Sequence, residues 1–178
     1  MSVLKLFPKT KPSVNYKTWV SKDDEKRCGI CKENHGKIWP IKESLMVRPP
    51  VHPFCRCKIE LLSAITAGTA TINGIDGADW WLKYLKKLPK YYITRSEAKN
   101  NGWDPKLGNL KESCPQKMIS GGEYFNSNGH LPNAPGRVWY EADINYKSGY
   151  RNTQRIVYSN DGLIFVTYDH YVTFYEII

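Results

Sequence analysis

From Ile72 onward the apolar positions recur with regular periods. Ile75, Ala78, Leu82, Leu85 and Leu88 stand at helical spacing, which predicts a helix over 77–88. Asp76 occupies the expected cap, Asp79 adds negative charge to the first turn and Pro89 stops the run. Thr94 and Glu97 read as a capping box that opens a second short helix, closed by Asn101 and Gly102. A stretch rich in Gly, Asn and Pro follows over 104–136, with one strand expected at 118–125.

The period then switches to two. Val138, Tyr140, Ala142 and Ile144 alternate with Trp139, Glu141 and Asp143, which predicts a strand with a core face and puts Glu141 on the other face. Strands are expected at 155–159 and 163–168, joined by a hairpin at Asn160, Asp161 and Gly162. A last strand is expected at 171–177. Two helices followed by a four- to five-stranded antiparallel sheet make an α+β domain over 72–178.

The remaining residues read differently. Residues 1–27 are rich in Lys and Pro and predict a poorly ordered arm, 1–60 form a Cys/His-rich module, and 61–71 read as a linker of small residues. The chain has 178 residues, 41% of them hydrophobic, with 6 Trp and 12 Tyr, which excludes a disordered polypeptide. No apolar run reaches the ~18–20 residues of a membrane-spanning helix. The start lacks an apolar core and a small-residue cleavage site, so no secretion signal is expected. The net charge is +9, of which +7 falls in 1–71 and +2 in 72–178, an excess that favours polyanionic partners.

Four of the five cysteines lie in the first 60 residues. Cys28 and Cys31 form a CxxC knuckle, and His52 and Cys55 offer a second pair of ligands for a tetrahedral metal, read as structural zinc. Cys57 is a further ligand candidate. On an extended segment it points away from Cys55, so only one of the two would share a site with His52. Disulfides and free thiols stand as alternatives. No acid beside the cluster is placed to activate a water, so catalysis by this metal is not expected. The pattern from Cys28 to Cys57 resembles the carboxy-terminal end of phage Mu F-type minor head proteins. That resemblance implies virion assembly and, in some members, a toxin domain fused downstream.

The second part carries a longer resemblance. Ile93 to Ala98, Gly102-Trp103, Gly108-Asn109-Leu110, Gly121-Gly122, Leu131-Pro132 and the block from Gly136 to Phe174 are similar to barnase and the bacterial guanyl-preferring ribonucleases. The resemblance implies the microbial ribonuclease fold and cleavage of single-stranded RNA to a 2′,3′-cyclic phosphate, with no cofactor for catalysis. Glu141 would be the general base and His170 the general acid. Arg151 and Arg155 would bind phosphate and stabilise the transition state, and Tyr171 would contact phosphate or base. Chemistry favours these types, because RNA supplies its own nucleophile and needs only a base, an acid and fixed positive charge.

Three departures stand out. Arg95 replaces a lysine that contacts the phosphate in the family, at the second helix, and Glu123 replaces an aspartate after Gly121-Gly122; both are implied substrate-binding residues. The guanine-binding loop, Phe125-Asn126-Ser127-Asn128-Gly129-His130-Leu131-Pro132, is one residue short and lacks the glutamate that pairs with guanine. Base preference is therefore open, with Asn126, Ser127 and Asn128 as substrate-binding candidates through their backbone amides. The expected role is a toxin, exported or virion-associated, that acts in a target cell's cytoplasm and is countered by a small acidic barstar-like inhibitor; a secreted enzyme is the alternative location. The competing function is a zinc-stabilised RNA-binding or phage-head-associated protein without catalysis.

Overall fold

The computed structural model describes residues 13–22, 24–35 and 37–178, so residues 1–12 of the expected arm lie outside the described residues, while 13–20, also expected to be poorly ordered, form a strand of the sheet. The elements are β1 (Ser13–Val20), α1 (Gly29–Asn34), β2 (Ile38–Pro40), β3 (Lys58–Ile65), α2 (Ala78–Trp80), β4 (Tyr92–Thr94), α3 (Arg95–Asn100), α4 (Leu110–Ser113), β5 (Met118–Glu123), β6 (Trp139–Asp143), β7 (Arg155–Ser159), β8 (Ile164–Thr167) and β9 (Tyr175–Ile177). The nine strands of the described residues join one sheet in the order β2-β1-β3-β9-β8-β7-β6-β5-β4. The α+β class holds, but the expected four to five antiparallel strands are too few. β4 adds to β5 in parallel, and β3 adds to β9 in parallel, which brings β1 and β2 onto the far edge.

The segment expected to link the two parts is built into the packing. Residues 61–65 continue β3, and Ile65, Ala67 and Ala70 are buried with Ala142, Ile144, Ile156, Val166 and Ile177. The amide of Ala67 donates to Ile178 O at 2.9 Å, and that of Ile178 donates to Ile65 O at 2.9 Å. Asp79, fully buried, holds the rest: it accepts from Gly68 N (2.7 Å), Ala70 N (3.0 Å) and Thr71 Oγ1 (2.9 Å). Its role is a tertiary clamp rather than the dipole contact expected from its place in a first turn. Gly77 lets this clamp close, since a Cβ there would lie 1.9 Å from Thr71 Oγ1 and 2.6 Å from Asp79 Oδ1.

The first helix is shorter than its apolar stripe predicts. Gly77, not Asp76, is the cap residue, and after Trp80 the coil widens into a π-turn over Trp81–Leu85 that ends at Lys86 in a left-handed conformation (φ 56°). The wider turn breaks the 3.6-residue period. Ala78 and Leu82 stay buried while Ile75 and Leu85 face solvent. The capping box of α3 forms as read: Glu97 N donates to Thr94 Oγ1 (3.2 Å) and Thr94 N to Glu97 Oε2 (2.8 Å).

Both faces of the central strands are covered. Ala142, Ile156 and Val166 pack on the face of α2, whereas Trp139, Val157, Phe165 and Leu131 form a second cluster on the Glu141 face. Short-range alternation identifies two faces but cannot tell that loops fold over the one carrying Glu141. The expected strand at 171–177 shortens to β9, because Asp169 captures the chain before it. Asp169 Oδ1 accepts from Thr167 Oγ1 (3.0 Å), Val172 N (3.2 Å) and Thr173 N (2.9 Å), a side-chain-built turn.

Candidate active site

Glu141 lies in the middle of β6, half-buried, and its carboxylate has two partners. The Tyr171 hydroxyl donates to Oε2, and Arg95 Nη2, on the first residue of α3, stands 3.3 Å from Oε1. Burial and the neighbouring carboxylate push the Tyr171 phenol far above its usual range, with Arg155 and Arg151 pulling it only partly back. Tyr171 therefore stays protonated and acts as a donor. It stands on the turn built by Asp169, its own amide donating to Thr167 Oγ1 at 2.9 Å, in a left-handed conformation (φ 69°).

His170 shares that turn (φ 61°), is exposed, and places its ring 5.0 Å from the Tyr171 ring, centroid to centroid. Two consecutive residues with positive φ are costly for non-glycine side chains and persist only where surroundings impose them. Here the Asp169 and Thr167 hydrogen bonds impose them and present imidazole and phenol together.

The two arginines are anchored by a residue the sequence reading left without a role. Asp143, two positions along β6 from Glu141 and on the same face, is fully buried. Arg151 grips it bidentately, Nε to Oδ2 at 2.7 Å and Nη2 to Oδ1 at 2.6 Å. Arg155 Nε lies 3.1 Å from Oδ1, a charge contact whose N–H is not aimed along the bond. Arg155 Nη1 is fixed by Asn152 O (2.6 Å) and Gln154 O (2.7 Å). Burial alone would weaken the Arg151 charge, but the Asp143 bonds and charge outweigh it and raise its pKa. Both guanidinium groups are thus held rigid, ready to receive an anion without reorganisation. The signal in the sequence was the second acid on the Glu141 face; a lone solvated acid would have needed no partner.

The loop at 125–132 is also locked. Asn126 is buried, and its amide donates to Leu131 O (2.8 Å) and Asn133 Oδ1 (2.9 Å) while its oxygen accepts from Leu131 N (3.0 Å). The Asn126 side chain shapes the loop and is not open to a ligand. Gly129 N donates to Asn126 O at 2.8 Å, which leaves the Ser127 and Asn128 amides at the exposed tip. Tyr124 stacks on Tyr171 at 5.2 Å and, with Phe174, walls the site, a grouping no short-range pattern marks. His130 Nδ1 meets Tyr171 O at 3.1 Å. Glu123 is exposed at the end of β5 and makes no hydrogen bond to the Glu141 group.

The cysteine module forms a second cluster. Cys28, Cys31 and His52 have ligand atoms within 4.8 Å of one another, and so do Cys31, Cys55 and Cys57. Buried Cys31 belongs to both groups, and its sulfur lies 3.7 Å from that of Cys55. The expectation that Cys55 and Cys57 point apart fails, because residues 55–57 are not an extended strand (β3 begins at Lys58) and follow a turn in which Cys55 N donates to His52 O at 3.1 Å. The Cys31 backbone amide lowers the Cys28 thiol pKa, and burial pushes Cys31 up. His35 instead accepts from Ser21 N through Nδ1 at 3.0 Å, outside the cluster.

Comparison with known proteins gives a consistent result. A family described as ribonuclease matches residues 82–178. A ribonuclease of Heyndrickxia coagulans is 53% identical over 109 residues, spanning 61% of this chain and 99% of that one. A ribonuclease of Bacillus intermedius is 53% identical over 109 residues, 67% of its length. The solved structure of ribonuclease Sa2 with guanosine-2′-cyclophosphate aligns with 49% of this chain and 94% of that chain at 25% identity and a TM-score of 0.32, an overlap too loose to argue from.

Proposed function

Since this chain belongs to the ribonuclease family and is an endoribonuclease of the barnase type, we propose that it cleaves single-stranded RNA by metal-independent transesterification at Glu141 and His170. The observation that carries this reading is a carboxylate held between Tyr171 and Arg95, beside two arginines anchored on one buried aspartate. Glu141 takes the proton of the ribose 2′-hydroxyl, and the 2′-oxygen attacks phosphorus. His170 donates a proton to the 5′-oxygen as its bond to phosphorus breaks, leaving a 2′,3′-cyclic phosphate and a 5′-hydroxyl. Arg151, Arg155 and Arg95 offset the charge that grows on the phosphoryl oxygens. Base selection falls to the Ser127 and Asn128 amides and the Phe125 ring, which is 77% exposed, and an obligatory guanine is not expected.

Defined oligoribonucleotides incubated with the protein in EDTA, with products read by mass spectrometry, test the mechanism. Cyclic-phosphate ends are expected to form at an undiminished rate. Cleavage that stops in EDTA and returns with magnesium would overturn metal independence.

The cysteine cluster fits structural zinc. Tetrahedral thiolate bonds of ~2.3 Å place two sulfurs about 3.8 Å apart, close to the 3.7 Å between Cys31 and Cys55. His52 Nδ1 lies 2.8 Å from Pro53 O, which leaves Nε2 for a metal. One zinc per chain is expected by elemental analysis, with Cys31→Ser losing it and melting at lower temperature. A metal-free chain of equal heat stability would end the zinc reading.

The toxin role rests on the similarity of residues 28–57 to phage minor head proteins, and the same similarity supports delivery into a target cell's cytoplasm. A small acidic inhibitor that covers Arg95, Arg151 and Arg155 suits the charge of this site.

A further inference from the structure

The reverse face of the sheet carries a groove that this chemistry does not use. Tyr140 and Tyr158 pair across β6 and β7, so they face away from Glu141 and Val157, which pair at the next position. The two rings lie 5.7 Å apart. With Leu82 beneath and the 159–162 hairpin at one end, they line a groove of about 620 Å³, within the size range of small-ligand sites.

Lys86 and Lys87, both exposed, stand on its other rim. Lys86 donates one bond to Lys83 O at 2.8 Å, which leaves two ammonium protons free, and Lys87 lies 5.8 Å over the Trp81 ring. Among the lining residues the one acid is Asp161, and its carboxylate is held by Arg137 at 2.9 and 3.0 Å. The groove therefore presents two cations, an aromatic pair and no bare negative charge.

We propose that this groove is a second, non-catalytic subsite for a nucleotide of single-stranded RNA, with the base against Tyr140 and Tyr158 and phosphate on Lys86 and Lys87. The inference rests on RNA being the substrate. Aromatic faces stack any base and lysines track the backbone, so such a subsite adds affinity without sequence preference. An acidic protein surface would engage the lysines but gain little from the paired tyrosine rings. A long RNA can reach both faces of the sheet, whereas a dinucleotide occupies one.

Two variants test this. Lys86→Asn with Lys87→Gln removes the charges, and asparagine tolerates the left-handed backbone at 86. Tyr140→Leu keeps apolar bulk and removes one stacking face. For each, kcat/KM on a 20-nucleotide RNA relative to a dinucleotide is expected to fall about fivefold or more. Binding of a non-cleavable 2′-O-methyl 20-mer by the lysine pair variant should lose about 1.4 from its logarithmic salt slope. An unchanged slope together with an unchanged ratio overturns the subsite. A wild-type chain that cuts neither RNA refutes the catalytic reading instead, and the binding slope still decides the groove.

Discussion

Glu141→Gln is expected to lower RNA cleavage by about 10²–10⁴-fold while leaving the fold intact. Glutamine keeps the length of the side chain and an oxygen to accept from Tyr171, but it cannot take the 2′-hydroxyl proton. Its pair with Arg95 is lost as well, at little cost in stability, because the Arg95 side chain is 54% exposed. His170→Ala should cost a similar factor and remove from the pH profile the limb that reports the acid. Because base and acid act on one phosphate, the double variant should be scarcely worse than the more damaged single one. Initial rates on a dinucleotide, with melting temperatures run in parallel, decide the matter. A folded Glu141→Gln enzyme that keeps a tenth of the wild-type rate would overturn the assignment.

The largest expected effect on stability is at Asp143. Asp143→Asn preserves shape but leaves two guanidinium groups facing a neutral amide at a position itself shut off from water. Breaking a buried ion pair from one side costs about 3–5 kcal/mol, which for a chain of this length lowers the melting temperature by roughly 6–20 °C. Activity should fall by about 10²-fold, since Arg151 loses its bidentate grip and misplacement by about 1 Å is enough for such a loss. A cycle combining Asp143→Asn with Arg151→Met should show strong coupling, because the second change removes one of the stranded cations. Thermal melts and single-turnover rates check both claims. A variant that melts with the wild type would show that the arginines need no buried anchor.

The contrast between these residues shows where sequence reasoning stops. Thr94 and Glu97 were legible as a capping box because their partners lie three residues apart, and a contact of that range depends on few others. Glu141, Arg151, Arg155 and His170 were legible because their order and spacing match a known family, while composition alone marks none of them. Asp143 is a second acid on the same strand face as Glu141, yet its burial depends on loops folding over that face. The backbone amides of the 126–128 loop are candidates from the family's order, but that the Asn126 side chain clips the loop was not legible, since its partners Leu131 and Asn133 are chosen by the loop's closure.

By itself, the sequence determined the class of the domain, its hairpin at 160–162, the cap of α3 and the family to which residues 82–178 belong. These rest on contacts between near neighbours or on residue order. Only the tertiary structure decided that 61–71 enters the core, that β3 extends the sheet by pairing with β9 more than a hundred residues away, and that Tyr171, on the turn built by Asp169, reaches Glu141. The physical reason is range. A short-range pattern states which faces are apolar, but the energy of burying a charge or adding a strand is set by whatever distant segment arrives to cover it.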